Sequence, residues 1–402
     1  MSMIQLKDIC TKIGSGATPT GGKSAYLSQG ISLIRSQNVL DYTFTMDGLA
    51  YINEDQAMKL NNVEVQKGDI LLNITGDSVA RVCIVPDNVL PARVNQHVAI
   101  IRVDEDKADN NYVLYSLIKS KKSLLSLAGG GATRNALTKK MIEEFEIELP
   151  QLSIQKKISA QLSEIDDKIA VNRRICENLE AQAQALFKHW FIDFAPFKNG
   201  KFVESELGMI PEGWRVGTLG EYIQVKRGGS PRPIQKYLSK EGMNWLKISD
   251  ATASDSPFIM SIKEKIIEEG LNHTIFRNAG SLVLSNSATP CIPKFLGVDT
   301  CIHDGWLYFP NSQLSNEYLY LFFQRMRKSL LLKANGSVFL NLKTDIVKSQ
   351  SFVCPTQKIM EDFDRIITHL FKTIFNLTQE SSRLSTLRDT LLPKLMSGQI
   401  KV

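Results

Sequence analysis

Two short runs of polar side chains stand at matching places in the chain, Arg35-Ser36-Gln37-Asn38 and Lys247-Ile248-Ser249-Asp250. Arg, Lys, Asn and Gln can offer paired hydrogen bonds to a purine edge, while Ser, Thr and backbone amides beside glycine suit a phosphate. Further loops repeat the same chemistry: Thr75-Gly76-Asp77-Ser78 with Arg81 matches Ser285-Asn286-Ser287, and Arg134-Asn135 matches Asn341 and Lys343. Ordinary solvated turns are built from the same residue types. What sets these loops apart is recurrence: equivalent places carry different side chains.

Catalytic chemistry finds less support. The segment GSGATPTGG (14–22) is rich in glycine, but its Pro19 and the lack of a following periodic helix read as a turn and not as a cofactor loop. No GxxxxGK[ST] occurs. His97 and the pair His303-Asp304 align with each other in the repeat, and neither has a nearby Cys/His/Asp constellation, so both read as structural or ligand-facing histidines. No cofactor, metal or catalytic residue is expected. The six cysteines, Cys10, Cys83, Cys176, Cys291, Cys301 and Cys354, include no CxxC pair and read as reduced, buried thiols.

The elements that must position the loops are themselves duplicated. LKDICTKIGSGATP (6–19) lines up with LGEYIQVKRGGSPRP (219–233), and YLSQGISLIRSQN (26–38) with YLSKEGMNWLKISD (237–250). VQKGDILLNITGDS (65–78) then faces RNAGSLVLSNSATP (277–290), NQHVAIIRV (95–103) faces CIHDGWLYF (301–309), and NNYVLYSLI (110–118) faces NEYLYLFFQ (316–324). Last, GGGATRNALT (129–138) faces NGSVFLNLKT (335–344), and each copy runs on to a proline, Pro150 or Pro355. A fixed order of blocks means one domain present twice.

Each copy leads into a long helix. Ile158, Leu162, Ile165, Ile169, Asn172, Cys176, Leu179, Ala183 and Leu186 keep a 4-3 spacing, and so do Ile359, Phe363, Ile366, Leu370, Thr373, Leu377, Glu380, Leu384, Leu387 and Leu391. That period predicts a coiled-coil seam, and 35–40 residues at about 1.5 Å each make a rod of roughly 50–60 Å. Two equivalent helices, each following its own domain, pair most simply antiparallel. The predicted fold is α+β, with two pseudo-symmetric α/β globular recognition domains separated by two long antiparallel coiled-coil helices. The expected divisions are domain one at 1–150, a spacer helix at 151–196, a connector at 197–216, domain two at 217–355 and a second spacer helix at 356–402.

Two similar domains held apart by a rod form a ruler, and a target with two short features at fixed separation fits it. Double-stranded DNA with a split site is such a target, since major-groove faces recur about every 34–36 Å. Lys plus Arg exceeds Asp plus Glu, 48 against 42, which accommodates a polyanion without demanding one. The clusters Lys119/Lys121/Lys122, Lys156/Lys157, Arg173/Arg174 and Arg325/Arg327/Lys328 suit backbone tracking and equally suit solvated helix faces. Hydrophobic residues make up 43% of the chain and charged residues 22%, with no apolar run long enough for a membrane span and no signal-peptide pattern, so a cytoplasmic location is expected.

NWLKISD, RGGSPRP, IPEGW at 210–214, and the helix endings AQALFKHWFIDFAPF (183–197) and LRDTLLPKLMSGQI (387–400) together resemble the specificity (S) subunits of type I restriction–modification systems, over essentially the whole chain. The first half has no PEGW counterpart. The resemblance implies a non-catalytic DNA-binding subunit. Each domain would read half of a bipartite asymmetric site, and the helices would act as spacer and dock two methyltransferase (M) subunits, with restriction/translocase (R) subunits joining through the complex. Trp190 and Phe191, near a helix end, could stack on a base or anchor a core; they are read as a protein contact, with a domain or with an M subunit, and are the expected docking residues. The alternative is a DNA methyltransferase or nuclease whose active site is not recognised.

Overall fold

The architecture is described from a computed structural model that places residues 2–129, 135–333 and 341–402. It divides into two compact units, residues 1–168 with 384–402, and residues 169–383.

In the first unit, one antiparallel sheet runs in the order Cys10–Ser15, Val98–Val103, Ile70–Asn73, Val82–Ile84. A second runs Ala50–Ile52, Ile31–Ile34, Ala92–Val94, Glu64–Val65. Ile70–Asn73 is apolar nearly throughout because both its faces are covered. Ile70 and Leu72 pack with Val113, Leu117 and Ile142 of the helical side, whereas Leu71 packs with Leu33, Cys83 and Ile100 between the sheets. The two-residue side-chain period of a strand thus serves two cores at once.

The second unit repeats this plan. Its sheets run Lys226–Arg227, Trp306–Tyr308, Leu282–Ser285, Pro293–Leu296, Phe258–Ile259, and Leu238–Ser239, Glu264–Ile266, Met243–Leu246, Thr300–Ile302, Ile275–Arg277. Four consecutive strands of each sheet match the first unit, and each sheet gains one edge strand. In both units the second sheet contains one parallel pair, Ile31–Ile34 beside Ala92–Val94 and Met243–Leu246 beside Thr300–Ile302. A two-stranded ribbon also recurs, Ser2–Gln5 with Glu146–Leu149 and Arg215–Thr218 with Ser351–Cys354.

The two long helices are α1, Leu152–Phe191, and α2, Gln357–Met396, each 40 residues. Within the first unit, Ile158 and Leu162 near the start of α1 pack with Leu392, Leu395 and Met396 near the end of α2. Within the second unit, Ala183, Phe187 and Phe191 near the end of α1 pack with Phe363, Ile367, Phe371 and Ile374 near the start of α2. Both arrangements make the pair antiparallel. The buried stripe of α2 departs from the expected 4-3 register, because Ile366 and Leu387 are exposed while Ile367, Phe371 and Ile374 are buried. Phe363 and Phe371 face Tyr318 and Tyr320 of the domain as well as α1, so this part of α2 buries a wider face than a coiled-coil seam requires. Asn172 stays at a seam position, fully buried, its amide donating to Glu380 Oε2 at 2.7 Å and Ser381 Oγ at 3.3 Å. Such a buried polar partner fixes helix register at some cost in stability.

A polar lock holds the end of α2 within the first unit. The Arg388 guanidinium lies 3.4 Å over the Tyr42 ring, donates to Asp166 at 2.6 Å and to Asp389 at 2.9 Å, and is 8% exposed. Tyr115 completes the group by donating to the other Asp166 oxygen at 2.7 Å. Burial, followed by the neighbouring Asp166 carboxylate, pushes the Tyr115 hydroxyl well above its ordinary range, so it stays a proton donor. Arg388→Met leaves Asp166 half-compensated and should lower stability by about 2–4 kcal/mol. Urea denaturation of the full chain measures this, and a loss under about 0.5 kcal/mol would show that the lock contributes little.

Candidate nucleic-acid interface

The parallel strand pair of each unit brings two turns to one edge. In the first turn, Asn38 is fully buried: its Oδ1 accepts from Arg35 N at 3.1 Å and its Nδ2 donates to Thr45 O at 3.0 Å. Asp250 is 7% exposed and accepts from Lys247 N at 2.9 Å in the equivalent position. Both expected contacts are therefore corrected, since their polar atoms serve the turn's own backbone. Ser36 is half-buried, and Gln37 and Ser249 stand exposed on these turns. The Arg35 guanidinium donates to Gly48 O and lies 5.4 Å over Tyr26, and Lys247 pairs with Glu264. Each cation is anchored, Arg35 by a turn and a loop and Lys247 by the neighbouring strand, and is only partly exposed.

The next loop divides in the same way. Thr75, Ser78 and Arg81 are half-buried at the edge of the first unit, with Thr75 Oγ1 2.6 Å from His97 Nδ1. Ser285 is buried, its hydroxyl donating to Thr289 O at 2.6 Å and accepting from Ile292 N at 2.9 Å. Asn286 is 2% exposed and donates to Asp304 O at 3.3 Å. These two hold the loop's shape and are not presented to a ligand, which corrects the expectation. Ser287 remains half-buried beside them. Asn135, Asn341 and Lys343 are exposed, with Asn135 O accepting from Gly76 N at 3.3 Å and Leu342 N donating to Asn286 O at 2.8 Å. The last loop is thus stitched to the second in both copies. Arg134 lies outside the described residues.

The glycine-rich loops complete the edge. A Cβ on Gly16 would sit 2.1 Å from Val94 O, and one on Gly228 2.3 Å from His303 O, so only glycine lets the chain cross there. This crossing matches Val94–Asn95 with Ile302–His303, and Gly16 N and Gly228 N donate to the matching carbonyls of Val98 and Trp306. His303 is accordingly equivalent to Asn95, and the expected His97–His303 match is two residues out. Position 96 matches 304 instead.

In the second unit a groove of about 870 Å³ is lined by Arg232, Trp245, Lys247, Ser249, Ser287, His303 and Asp304. Burial holds the His303 imidazole below its usual range despite Asp304, and its Nδ1 accepts from Gly305 N at 2.7 Å. It is therefore neutral at pH 7, with its proton on Nε2. Burial works to raise the Asp304 carboxyl, but the Ser230 hydroxyl at 2.7 Å, Arg227, His303 and Arg232 at 3.1 Å together hold it below the usual range. The groove is a set of fixed donors and acceptors, in which the Ser230 hydroxyl is bonded to Asp304 and His303 Nδ1 to the Gly305 amide. Among the described residues no group of His, Cys, Asp and Glu could hold a metal ion, and no helix is long and apolar enough to cross a membrane. Arg227, Ser230, Arg232, Thr18 and Gln96 escaped sequence reading as site residues. Their only traces were the pairing of GSGATP with RGGSPRP and, for Gln96, the block NQHVAIIRV.

Phe191 needs separate correction. Phe191 is 4% exposed and packs against Phe363 at 4.7 Å, Tyr318 at 5.2 Å and Trp214 at 6.1 Å between ring centres. Trp190 is half-buried between Phe363 and Phe197. The pair anchors the end of α1 in the second unit's core, leaving Phe191 no surface to dock a partner.

A twice-built β domain whose polar turns gather at one edge in each copy is the architecture of a recognition module. Residues 1–181 and 211–385 match the family described as type I restriction modification DNA specificity domain, and the chain belongs to that family. It is a type I restriction–modification specificity subunit, a non-catalytic DNA-binding component that assembles with other subunits. Its relatives include the Type I restriction enzyme MjaIX specificity subunit of Methanocaldococcus jannaschii, 29% identical over 99% of this chain and 93% of that one. The HindI specificity subunit of Haemophilus influenzae is 23% identical over 64% of this chain and 70% of its own. The crystal structure of the S subunit from M. genitalium shares the fold with a TM-score of 0.57 at 14% identity, over 98% of this chain and 95% of that chain.

Phe191→Ala opens a cavity in an aromatic core and should destabilise the chain by about 3–5 kcal/mol. A urea titration reads this directly. A cost below about 1 kcal/mol would return Phe191 to the surface.

Proposed function

We propose that each domain reads one half of a bipartite, asymmetric DNA site. Residues 1–150 and 217–355 are the recognition domains, 151–196 and 356–402 the spacer helices, and 197–216 the connector. The helices set the separation of the half-sites and dock two M subunits, through which R subunits join, in the cytoplasm. The observation that carries this reading is the repeated sheet order with unlike polar residues at equivalent places: Arg35 and Lys247, Gln37 and Ser249, Gln96 and Asp304, Thr20 and Arg232. One scaffold with two sets of side chains suits two different short sequences. Exposed apolar side chains on the helices, Ile154 and Leu387 in the first unit and Val171, Ile175 and Ile366 in the second, support docking there beside the half-buried Trp190, in place of Phe191.

Replacing residues 217–355 with the corresponding domain of another specificity subunit should change one half of the modified motif and leave the other intact. Methylome sequencing checks this, and a change in both halves, or in neither, would refute the division of labour.

Spacing gives a separate test. One heptad inserted in α1 beside Asn172 and one in α2 beside Glu380 preserves the seam period and lengthens the pair by about 10 Å. The motif's spacer should grow by about three base pairs with both half-sites unchanged. An unchanged spacer would exclude the helices as the ruler.

A further inference from the structure

In the first unit the chain passes from Ala92–Val94 to Val98–Val103 through Asn95, Gln96 and His97. Asn95 is buried, with its N donating to Ile34 O at 2.9 Å and its Oδ1 accepting from His97 N at 3.1 Å. Gln96 is thereby left as the exposed tip of a tightly tied turn. Its amide is held from both sides. Thr18 Oγ1 bonds its oxygen, its nitrogen lies 3.0 Å from His97 Nε2, and His97 Nδ1 lies 2.6 Å from Thr75 Oγ1.

A glutamine amide offers two N–H donors and two carbonyl lone pairs. The inner contacts take one of each in both consistent arrangements: Gln96 Nε2 donating to His97 with the imidazole proton on Nδ1, or the amide turned over and accepting from His97 with that proton on Nε2. One donor and one acceptor remain for a ligand. That pair matches the N7 acceptor and N6 donor on the major-groove edge of adenine, the recognised partner of Asn and Gln. Because Thr18 and His97 already restrain the side chain, binding needs little further loss of rotamer freedom.

The second unit retains the clamp and changes the group it holds. Ser230, equivalent to Thr18, donates to Asp304 at 2.7 Å, and Asp304 is equivalent to Gln96. Asp304 accepts only, and Arg227 and Arg232 are attached to it. The same position therefore carries different hydrogen-bonding chemistry in the two copies, as a base-specifying position must.

We propose that Gln96 specifies an adenine in the half-site read by the first domain, with Thr18 and His97 as its positioning residues. The proposal rests on the assignment of that domain as a DNA reader. The test uses the full chain assembled with its modification subunits and duplexes carrying the wild-type motif. Each base of the first half-site is substituted in turn, and each adenine is separately replaced by 7-deazaadenine, which lacks the N7 acceptor. At one adenine, both changes should weaken wild-type binding by about five- to a hundred-fold and weaken Gln96→Ala binding by less than about two-fold. Discrimination in the second half-site and the salt dependence of binding should be unchanged. Thr18→Val should lose part of the preference and Thr18→Ser should keep it. A Gln96→Ala complex that still discriminates every first-half base as wild type does would overturn the proposal and leave the two-domain reading standing. Loss of discrimination spread over both half-sites would overturn both.

Discussion

The gathering of the polar turns at one edge of each unit follows from one pairing. Ile31–Ile34 and Ala92–Val94 run parallel as neighbours, so their carboxyl ends finish side by side, and Met243–Leu246 with Thr300–Ile302 does the same. In open sheets with parallel strands, ligands gather outside the carboxyl ends. Here the turns that follow, 35–38 with 95–97 and 247–250 with 303–304, inherit that position. The glycine crossings at Gly16 and Gly228 are its corollary, since a third loop must pass against the end of one strand of the pair. Were the pairing antiparallel, the two turns would lie at opposite ends of the sheet.

Each turn separates its shape from its presented chemistry. Asn38, Asp250, Ser285 and Asn286 spend their polar atoms on backbone and are buried, while Gln37, Gln96, Ser249 and Arg232 stand outside them. A buried polar side chain left without its bond costs on the order of 1–3 kcal/mol, so the first set is constrained by folding. The second set is free to vary without loss of the scaffold. A duplicated domain can therefore diverge in what it recognises while retaining its sheet order and its loop closures.

Much of this was legible in the sequence because it depends on period and order. The aligned blocks, the central runs ILLN and LVLS, and the pair of long helices all come from patterns that burial enforces directly. The division of labour within the loops was not legible. Asn38 and Gln37 are both amides in one turn and both donate to backbone carbonyls, and only burial, complete for Asn38 and absent for Gln37, decides which keeps atoms open to a ligand. The two-residue error at His97 and His303 arose because matching letters outweighed a glycine crossing that exists only in three dimensions. The register of α2 shifted because the domain's own aromatic residues share its buried face, and a heptad reading assumes that the partner helix is the only neighbour. Phe191 was illegible for a related reason, since an aromatic cluster at a helix end reads alike whether it anchors a core or greets a partner.

The first unit combines residues 1–168 with 384–402, and that has a consequence for synthesis. On the ribosome, all of 169–383 must emerge before Leu392, Leu395 and Met396 can cover Ile158, Leu162, Tyr112 and Tyr115, and before Arg388 can reach Asp166. At about 5–20 residues per second, that interval lasts on the order of 10–40 seconds. Throughout it the nascent first unit carries an uncovered apolar face and an unpaired acid. The second unit takes all its residues from one uninterrupted stretch and has no such wait. The half of the molecule that is translated first is therefore the half whose last residues arrive last.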